Sequence, residues 1–402
     1  MNATDPMTKA IWRALKDLYT DGAFTTSLQN VYTPPDVCYP MITETLRCIG
    51  NISDETFLLQ TLGVLECLHE RGVNLKNVWF VTDSPEKEMF ASMPRYNGVN
   101  VIRTDYLTWR PNMKFDVICG NPPYQASQDR EEKGRGRSGA TLWNQFVLKS
   151  IELCKDNGYI CLVHPAKWRK PDDDLNSTMR NKNITYLEIH DHQDGVKIFG
   201  CQTRYDWYVM QNSPSKGKTT VRGQDGVTTE MDLRNSPVIP NAMIDEIMSL
   251  IAGPNDEKIQ ILYSRSAYGS DKPHMSKEKK GEFQHPCLYS INVKGEPTFW
   301  YSSIKNNGHF GIPKVIFPSG HYGSVDILVD EKGEYGLTQF GRGVVDSPKV
   351  LPMIAAAMRT EKFKKMAMAI ATSTTELDKV VFSYFRKDFW KHFVDENGNV
   401  VK

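Results

Sequence analysis

No Cys-x-x-Cys spacing occurs among the eight cysteines of this 402-residue chain, which stand at positions 38, 48, 67, 119, 154, 161, 201 and 287. The scatter argues against a zinc site and a disulfide frame, so buried free thiols in a reducing compartment are expected. No apolar run approaches the roughly 20 residues of a membrane-spanning helix. Met1 to Gly22 carries Asp5, Lys9, Arg13, Lys16 and Asp17, so no signal-peptide core is read there and a cytoplasmic location is expected. Charge of one sign is missing too. Against 49 Lys and Arg stand 48 Asp and Glu, a net charge of +1. That total neither supports nor excludes a polyanionic partner, because a local basic face can sit in a neutral sum. At 40% hydrophobic residues, the chain reads as soluble, globular and long enough for two domains.

What is present is an alternation of helical and strand patterns through the first half. A helix is predicted over 6–20, with Ile11, Trp12, Leu15, Leu18 and Tyr19 on one face. A second is predicted from Pro40 to Cys48. A third runs from Thr56 to Arg71, with Phe57, Leu58, Leu62, Leu65 and Leu68 as its stripe and Gly72 as its stop. Strands follow at 77–82, 100–104 and 115–119, then a helix at 141–154 and strands at 159–164, 184–191 and 204–210. Such alternation predicts an α/β fold with a doubly wound, mostly parallel sheet. The polar run from Asn212 to Lys218 reads as a boundary, giving domains 1–215 and 216–402.

Residues 115–124 read Phe-Asp-Val-Ile-Cys-Gly-Asn-Pro-Pro-Tyr. Val117 to Cys119 has the length of a buried strand, and two prolines cannot continue its ladder. Asn121 and Tyr124 are therefore placed on a rigid turn at a strand's carboxyl end, the edge where ligands bind in open α/β sheets. The chemistry suits an exocyclic amine of a base. The Asn121 carboxamide oxygen can accept one amino hydrogen and the Pro122 carbonyl the other. Both would free a lone pair otherwise delocalised into the ring. Tyr124 offers a face for an extruded base, a contact worth roughly 1–3 kcal/mol.

Residues 113–124 resemble motif IV of the S-adenosylmethionine-dependent amino-methyltransferases that act on DNA adenine. Gly139 to Phe146 and Asp156 to Pro165 are similar to the helix and fifth strand of restriction-modification and phage enzymes of that kind. Val31-Tyr32-Thr33-Pro34-Pro35 resembles their motif X, and the motif order is that of the gamma class, in which target recognition comes last. The resemblance implies a Rossmann-like class I catalytic domain over 1–215 and an α+β target-recognition domain over 216–402. It implies S-adenosylmethionine as cofactor, no metal, and a monomer that methylates N6 of a flipped adenine in double-stranded DNA, inside a bacterial cell or phage-infected host. Asn121, Pro122, Pro123 and Tyr124 are then the catalytic turn. Tyr32, Thr33, Pro34, Asp54, Asp83, Asp105 and Asn121 are the expected cofactor contacts.

Several assignments carry alternatives. Asp83 ends a strand and suits a ribose diol, or it caps a helix. Asp105 resembles the acid that contacts the cofactor's adenine, or it forms a turn. Phe199, in a stretch that resembles motif VIII, is a second face of the base pocket or a core ring. Arg130, Lys133, Arg135 and Arg137, directly after the catalytic turn, grip phosphates or form a solvated loop. The basic stretch at Arg265, Lys272, His274, Lys277, Lys279 and Lys280 lies on DNA or in solvent.

The family pattern calls for an acid and a Gly-x-Gly run after motif X, where only glycine lets the chain approach the cofactor. Between Cys48 and Leu59, Asp54 and Phe57 match the ends of that motif but its glycines are missing. A loop rebuilt around Gly50-Asn51 and weak cofactor binding are expected. The open alternatives are a catalytically impaired DNA-binding homologue and an RNA or protein-glutamine amino-methyltransferase, whose planar amide or base fits the same pocket.

Overall fold

In a computed structural model, residues 6–20, 32–125, 141–292, 294–320, 327–372 and 376–401 are described. Contacts divide the chain into two units, one of residues 1–168 and 173–236, the other of 169–172 and 237–402.

In the first unit the elements run α1 (Pro6–Thr20), α2 (Pro35–Ile49), β1 (Phe57–Leu59), α3 (Leu62–Glu70), β2 (Val78–Thr82), α4 (Pro85–Ala91), β3 (Asn100–Arg103) and β4 (Phe115–Gly120). They continue as α5 (Trp143–Leu153), β5 (Cys154–Pro165), α6 (Asn176–Arg180), β6 (Lys182–His190), α7 (His192–Phe199), β7 (Tyr205–Pro214), β8 (Thr219–Arg222) and β9 (Thr228–Met231). One nine-stranded sheet takes the order β3-β2-β1-β4-β5-β7-β6-β8-β9. From β3 to β5 every pairing is parallel, and β7 runs antiparallel between β5 and β6. This is the doubly wound, mostly parallel sheet expected of a class I methyltransferase. Strand order reverses beside β1, which makes the carboxyl ends of β1 and β4 the place for a ligand crevice.

The apolar runs read as strands are buried because helices pack on the sheet, α2 on β5 and β7, α3 on β1, α4 on β2 and β3, and α5 on β5. Leu59, Val117, Cys119 and Cys161 are fully buried in one cluster with Met41, Leu65 and Val209. All eight cysteines are free thiols, six of them buried. Among the described residues no helix is long and apolar enough to cross a membrane.

Two expectations are corrected. The third helix does not begin at Thr56. Phe57–Leu59 is instead the strand β1, paired with Val78–Phe80 on one side and Val117–Cys119 on the other. The domain boundary does not fall at 215/216 either. β8 pairs with β6 and carries β9 on its outer edge, so the sheet continues to Met231. The polar residues of the supposed linker are structural. Buried Asn212 donates to the carbonyls of Ile151, Cys154 and Lys155 at 3.2–3.3 Å.

The second unit is α+β, as expected. It contains α8 (Ile244–Leu250), β10 (Gln260–Leu262), β11 (Met275–Ser276), β12 (His285–Ile291), β13 (Pro297–Ser302), β14 (Lys314–Pro318), β15 (Leu328–Asp330), β16 (Gly336–Leu337) and β17 (Gly341–Val345), then α9 (Leu351–Arg359), α10 (Glu361–Ala369) and α11 (Lys379–Phe382). The strands form two four-stranded sheets, β10-β17-β14-β15 and β11-β13-β12-β16. The first packs on the helices through Val315, Phe317, Ile354, Phe363 and Phe382.

Candidate active site

β4 ends at Gly120, and the proline pair turns the chain out of the sheet at the carboxyl edge. Two threonines fix the residue between. The Asn121 backbone N–H donates to Thr61 Oγ1 at 2.8 Å, and its side-chain Nδ2 donates to Thr33 Oγ1 at 3.0 Å. Both threonines are buried. The remaining carboxamide oxygen, Oδ1, is buried without a hydrogen-bond partner among the described residues. Buried polar atoms are nearly always paired, so an orphan at a ligand edge marks a place for a ligand.

Asn121 opens on a cleft, about 560 Å³ of empty space counting the part open to solvent, also lined by Gln60, Thr61, Asp83, Lys87, Asp105, Tyr106, Pro123 and Phe146. Five polar wall residues follow strand ends, Gln60 and Thr61 after β1, Asp83 after β2, Asp105 after β3 and Asn121 after β4, while Lys87 comes from α4. Ser84, not Asp83, caps α4, accepting the Lys87 N–H at 3.2 Å, so the helix-cap alternative for Asp83 falls away. Asp105 Oδ1 accepts the Leu107 N–H at 2.8 Å and so does form a turn, yet the residue also lines the cleft. Tyr106 and Phe146 stack at 5.3 Å with 4° between their planes and give the cleft an apolar wall. The Lys87 ammonium is buried 5.4 Å from the Tyr19 ring, and burial pushes its pKa down to about 8 against the pull of Asp83.

Gln60 is the residue that the helical reading of 56–71 concealed. It is only 8% exposed, and its carboxamide has no well-formed hydrogen bond among the described residues, the Tyr106 hydroxyl being the polar group beside it. It follows β1 and precedes α3, within the interval between motif X and the third helix where the family pattern calls for an acid. The following turn is short, Thr61 leading straight into α3. Thr61 does not cap that helix, since its hydroxyl takes the Asn121 N–H. The first N–H groups of α3 therefore lack a side-chain cap beside the cleft, a natural seat for a carboxylate. A glycine is present after all. A Cβ on Gly63 would lie 2.8 Å from Cys38 Sγ and 2.9 Å from the Thr33 carbonyl oxygen. Gly63 thus admits the 33–38 segment rather than a ligand.

The expected cofactor residues are not all brought here. Asp54 is exposed and precedes β1, at the amino end of the strand, so it cannot reach the crevice. Gly50, with φ +81°, closes α2 and rebuilds no cofactor loop. Tyr32 donates to the Trp12 carbonyl at 3.4 Å and packs on Tyr19, and Pro34 leads into α2; neither lines the cleft. Asp116 serves the sheet's other end. It accepts from Thr56 N–H and Oγ1 and pairs with Lys155 at 2.7 Å, contacts that hold its carboxyl below the usual range against its burial.

Tyr124 meets Phe199 edge to face, at 6.5 Å and 74°. A base sandwiched between two parallel rings needs them roughly 7 Å apart, twice a van der Waals contact. In this arrangement Phe199 supports Tyr124 instead, and the Tyr205 ring braces Phe199 at 4.9 Å. The Tyr124 hydroxyl is buried without a partner among the described residues, and burial raises its pKa well above that of a free phenol. Arg130, Lys133, Arg135 and Arg137 lie outside the described residues.

Comparison with known proteins bears out, over part of the chain, the likeness expected from the Asn-Pro-Pro-Tyr turn. Residues 74–199 match the Eco57I restriction-modification methylase family. Over 129 residues the chain is 33% identical to an uncharacterized adenine-specific methylase of Mycoplasma pneumoniae, covering 30% of this chain and 29% of that protein. Over 139 residues it is 32% identical to modification methylase CviBIII of Paramecium bursaria Chlorella virus NC1A, covering 32% and 34%. The matched stretches span about a third of these relatives' lengths. A solved type IIG restriction endonuclease, BpuSI, aligns with 96% of this chain and 63% of its own at 10% identity, with a TM-score of 0.49.

Proposed function

We propose that this protein methylates the N6 amino group of adenine in double-stranded DNA, using S-adenosylmethionine. The observation that carries the reading is the Asn121 carboxamide. Its nitrogen is tied to Thr33 and its oxygen is left open at the edge of the cleft.

The cleft's donor set fits the cofactor. Asp83 suits a ribose diol, Tyr106 and Phe146 an adenine ring, and Gln60 with the start of α3 an amino-acid head group. A carboxamide can accept from an ammonium and donate to a carboxylate. When bound, S-adenosylmethionine supplies a methyl group activated on a sulfonium. The remaining work belongs to the chain. Asn121 Oδ1 accepts one hydrogen of the exocyclic amine and the Pro122 carbonyl the other, which draws the nitrogen lone pair out of the ring. Tyr124 stacks on the extruded base. The second unit is the candidate for locating the target sequence, while its stretch from Arg265 to Lys280 is partly spent on local pairs, Lys272 with Asp271 and Lys280 with Glu278.

The test is direct. The purified chain is incubated with S-adenosylmethionine and duplex DNA, the DNA is digested, and nucleosides are analysed by mass spectrometry. N6-methyladenine is the expected product. Exclusive 4-methylcytosine, or methyl groups found only on RNA or protein, overturns the substrate. Cofactor binding without any transfer points to the impaired DNA-binding homologue.

A further inference from the structure

We propose that Lys87 is a specificity-determining residue of the cleft, its ammonium holding, together with Asp83, the ribose diol of the bound nucleoside. The inference rests on the cofactor reading given above and adds to it a residue that no sequence motif singled out.

Lysine is almost never buried unless its charge is matched by something. Lys87 is 8% exposed and lines the cleft. The charged residues on either side of it in α4 are engaged elsewhere. Glu86 accepts the Ser84 hydroxyl at 2.7 Å, and Glu88 pairs with Arg103 at 3.6 Å. The Tyr19 ring, 5.4 Å from the Lys87 ammonium, lines the cleft too. A ring there attracts the cation and keeps it from swinging out to solvent. Tyr19 is held in its turn, because α1 is seated on the core by Trp12 and Leu15, and Trp12 Nε1 donates to the Tyr39 hydroxyl at 3.2 Å.

Asp83 and Lys87 stand four residues apart, before and within the first turn of α4, and both line the cleft. Asp83 pulls against burial, so with a pKa near 8 the amine is mostly an ammonium at neutral pH. A carboxylate only accepts and an ammonium only donates. A hydroxyl does both: it gives its hydrogen to the one and takes a hydrogen on its oxygen from the other. A wall that presents the two side by side therefore matches a vicinal diol, and fits poorly where hydrogen replaces the hydroxyls. An ammonium has three N–H groups, so one can serve the diol while the others tie the side chain to the wall.

The test uses the full-length protein and two ligands, S-adenosylhomocysteine and its 2′,3′-dideoxy analogue. Their affinities are measured by calorimetry at neutral pH for the wild type, Lys87→Met and Lys87→Gln. Both ligands carry the same charges, so the ratio of the two affinities cancels any change in the field of the cleft. The wild type is expected to prefer the diol. Lys87→Met keeps the length of the stem and loses the donors, and the preference should fall about tenfold or more, the scale of a hydrogen bond to a charged group. Lys87→Gln keeps an uncharged N–H donor and should lose less. Melting temperatures should hold, since each substitution removes a buried charge, and the Lys87→Gln ratio decides alone if Lys87→Met does not fold. An equal fall for both ligands overturns the proposal and makes Lys87 a packing residue. An unchanged ratio overturns it as well, because the ammonium is then spent on Asp83 directly. Methylation is not read in this experiment. A protein whose diol preference depends on Lys87 but which methylates nothing refutes the proposed function alone. An unchanged ratio in an active methyltransferase refutes the diol contact alone, and a protein that binds neither ligand refutes both.

Discussion

Lys314 in the second unit and Asn121 in the first are both polar side chains held at the end of a strand, and their surroundings differ in kind. Lys314 is fully buried, yet its ammonium reaches Asp330 at 2.6 Å and the carbonyls of Ile312 and His309 at 3.0 and 3.2 Å. Asp330 in turn accepts the N–H groups of Glu334 and Tyr335. Beside them His309 accepts the Leu337 N–H through Nδ1, and burial pushes its pKa down to about 4, so the ring is neutral. Lys314 and Asp330 are satisfied within this cluster and read as a brace, although His309 Nε2 beside them is buried without a hydrogen-bond partner among the described residues. In the first unit burial leaves Asn121 Oδ1 open, and Gln60 with no well-formed hydrogen bond and only the Tyr106 hydroxyl beside it. Satisfied polar groups hold a fold together, and unsatisfied ones at a strand's carboxyl edge await something else. If this contrast is right, substitutions in the brace should cost stability, and substitutions in the cleft should cost function.

The largest effect is expected in the brace. Asp330→Ala leaves the Lys314 ammonium buried without its counter-charge, a loss of about 3–5 kcal/mol in stability. Lys314→Met in the same background should recover much of it, because the uncompensated charge goes with the lysine. Denaturant melts of both variants check this. An Asp330→Ala protein as stable as wild type would show that the brace is not closed.

Asn121→Ala comes next and should act on the opposite property. Removing an acceptor that works in the transition state typically costs about 2.7–4 kcal/mol, or 10²–10³ in turnover. S-adenosylhomocysteine affinity and melting temperature should stay near wild type. Single-turnover kinetics beside calorimetry decide it. Turnover near that of wild type would move the chemistry elsewhere in the cleft.

The contrast also explains what could be read from the chain alone. Asn121 to Tyr124 were legible because prolines after an apolar run dictate a turn whatever the rest of the protein does. The sheet was legible because Val78 to Thr82 and Phe115 to Cys119 are apolar runs of strand length. Gln60 was not legible. Phe57, Leu58, Leu62, Leu65 and Leu68 satisfy a helical stripe, and a strand of three residues is too short to show its own period. What extends Phe57–Leu59 is pairing on both edges with residues far along the chain, a tertiary fact. Misplacing β1 then drew Asp54 into the site and made the glycine loop look deleted. The signal within reach was Gly63, four residues after the last leucine of a Phe-Leu-Leu run, with Gln60 and Thr61 between as a polar break. The domain boundary failed for a similar reason, since Asn212 looks like linker until the carbonyls it ties are seen.

Gln60→Leu sharpens the comparison from the cofactor side. The substitution removes a buried carboxamide that makes no well-formed hydrogen bond, so stability should hold or rise. Affinity for S-adenosylhomocysteine should fall, because a hydrogen bond to a charged head group is worth about 1.5–3 kcal/mol. Calorimetry with 5′-methylthioadenosine, which lacks the amino-acid end, should show no change. Equal losses for both ligands would place Gln60 against the nucleoside instead.

The smallest effect, and the most discriminating, is expected at Tyr124. Its hydroxyl is buried without a partner while its ring is braced by Phe199. If the ring alone matters, Tyr124→Phe deletes an unsatisfied group and keeps the face on which a base stacks. Stability should then stay level or rise, and turnover should stay close to wild type. Tyr124→Ala should instead weaken the complex with a DNA duplex by about 1–3 kcal/mol, the usual worth of one stacked base. A duplex with an abasic site opposite the target adenine isolates this term, because extrusion then costs less and the deficit left is the stack. A Tyr124→Phe protein that melts higher but turns over poorly would break the expectation. It would mean that the hydroxyl, like Asn121 Oδ1, is an open group kept for the substrate, and Tyr124 would join the catalytic contacts rather than the stacking surface.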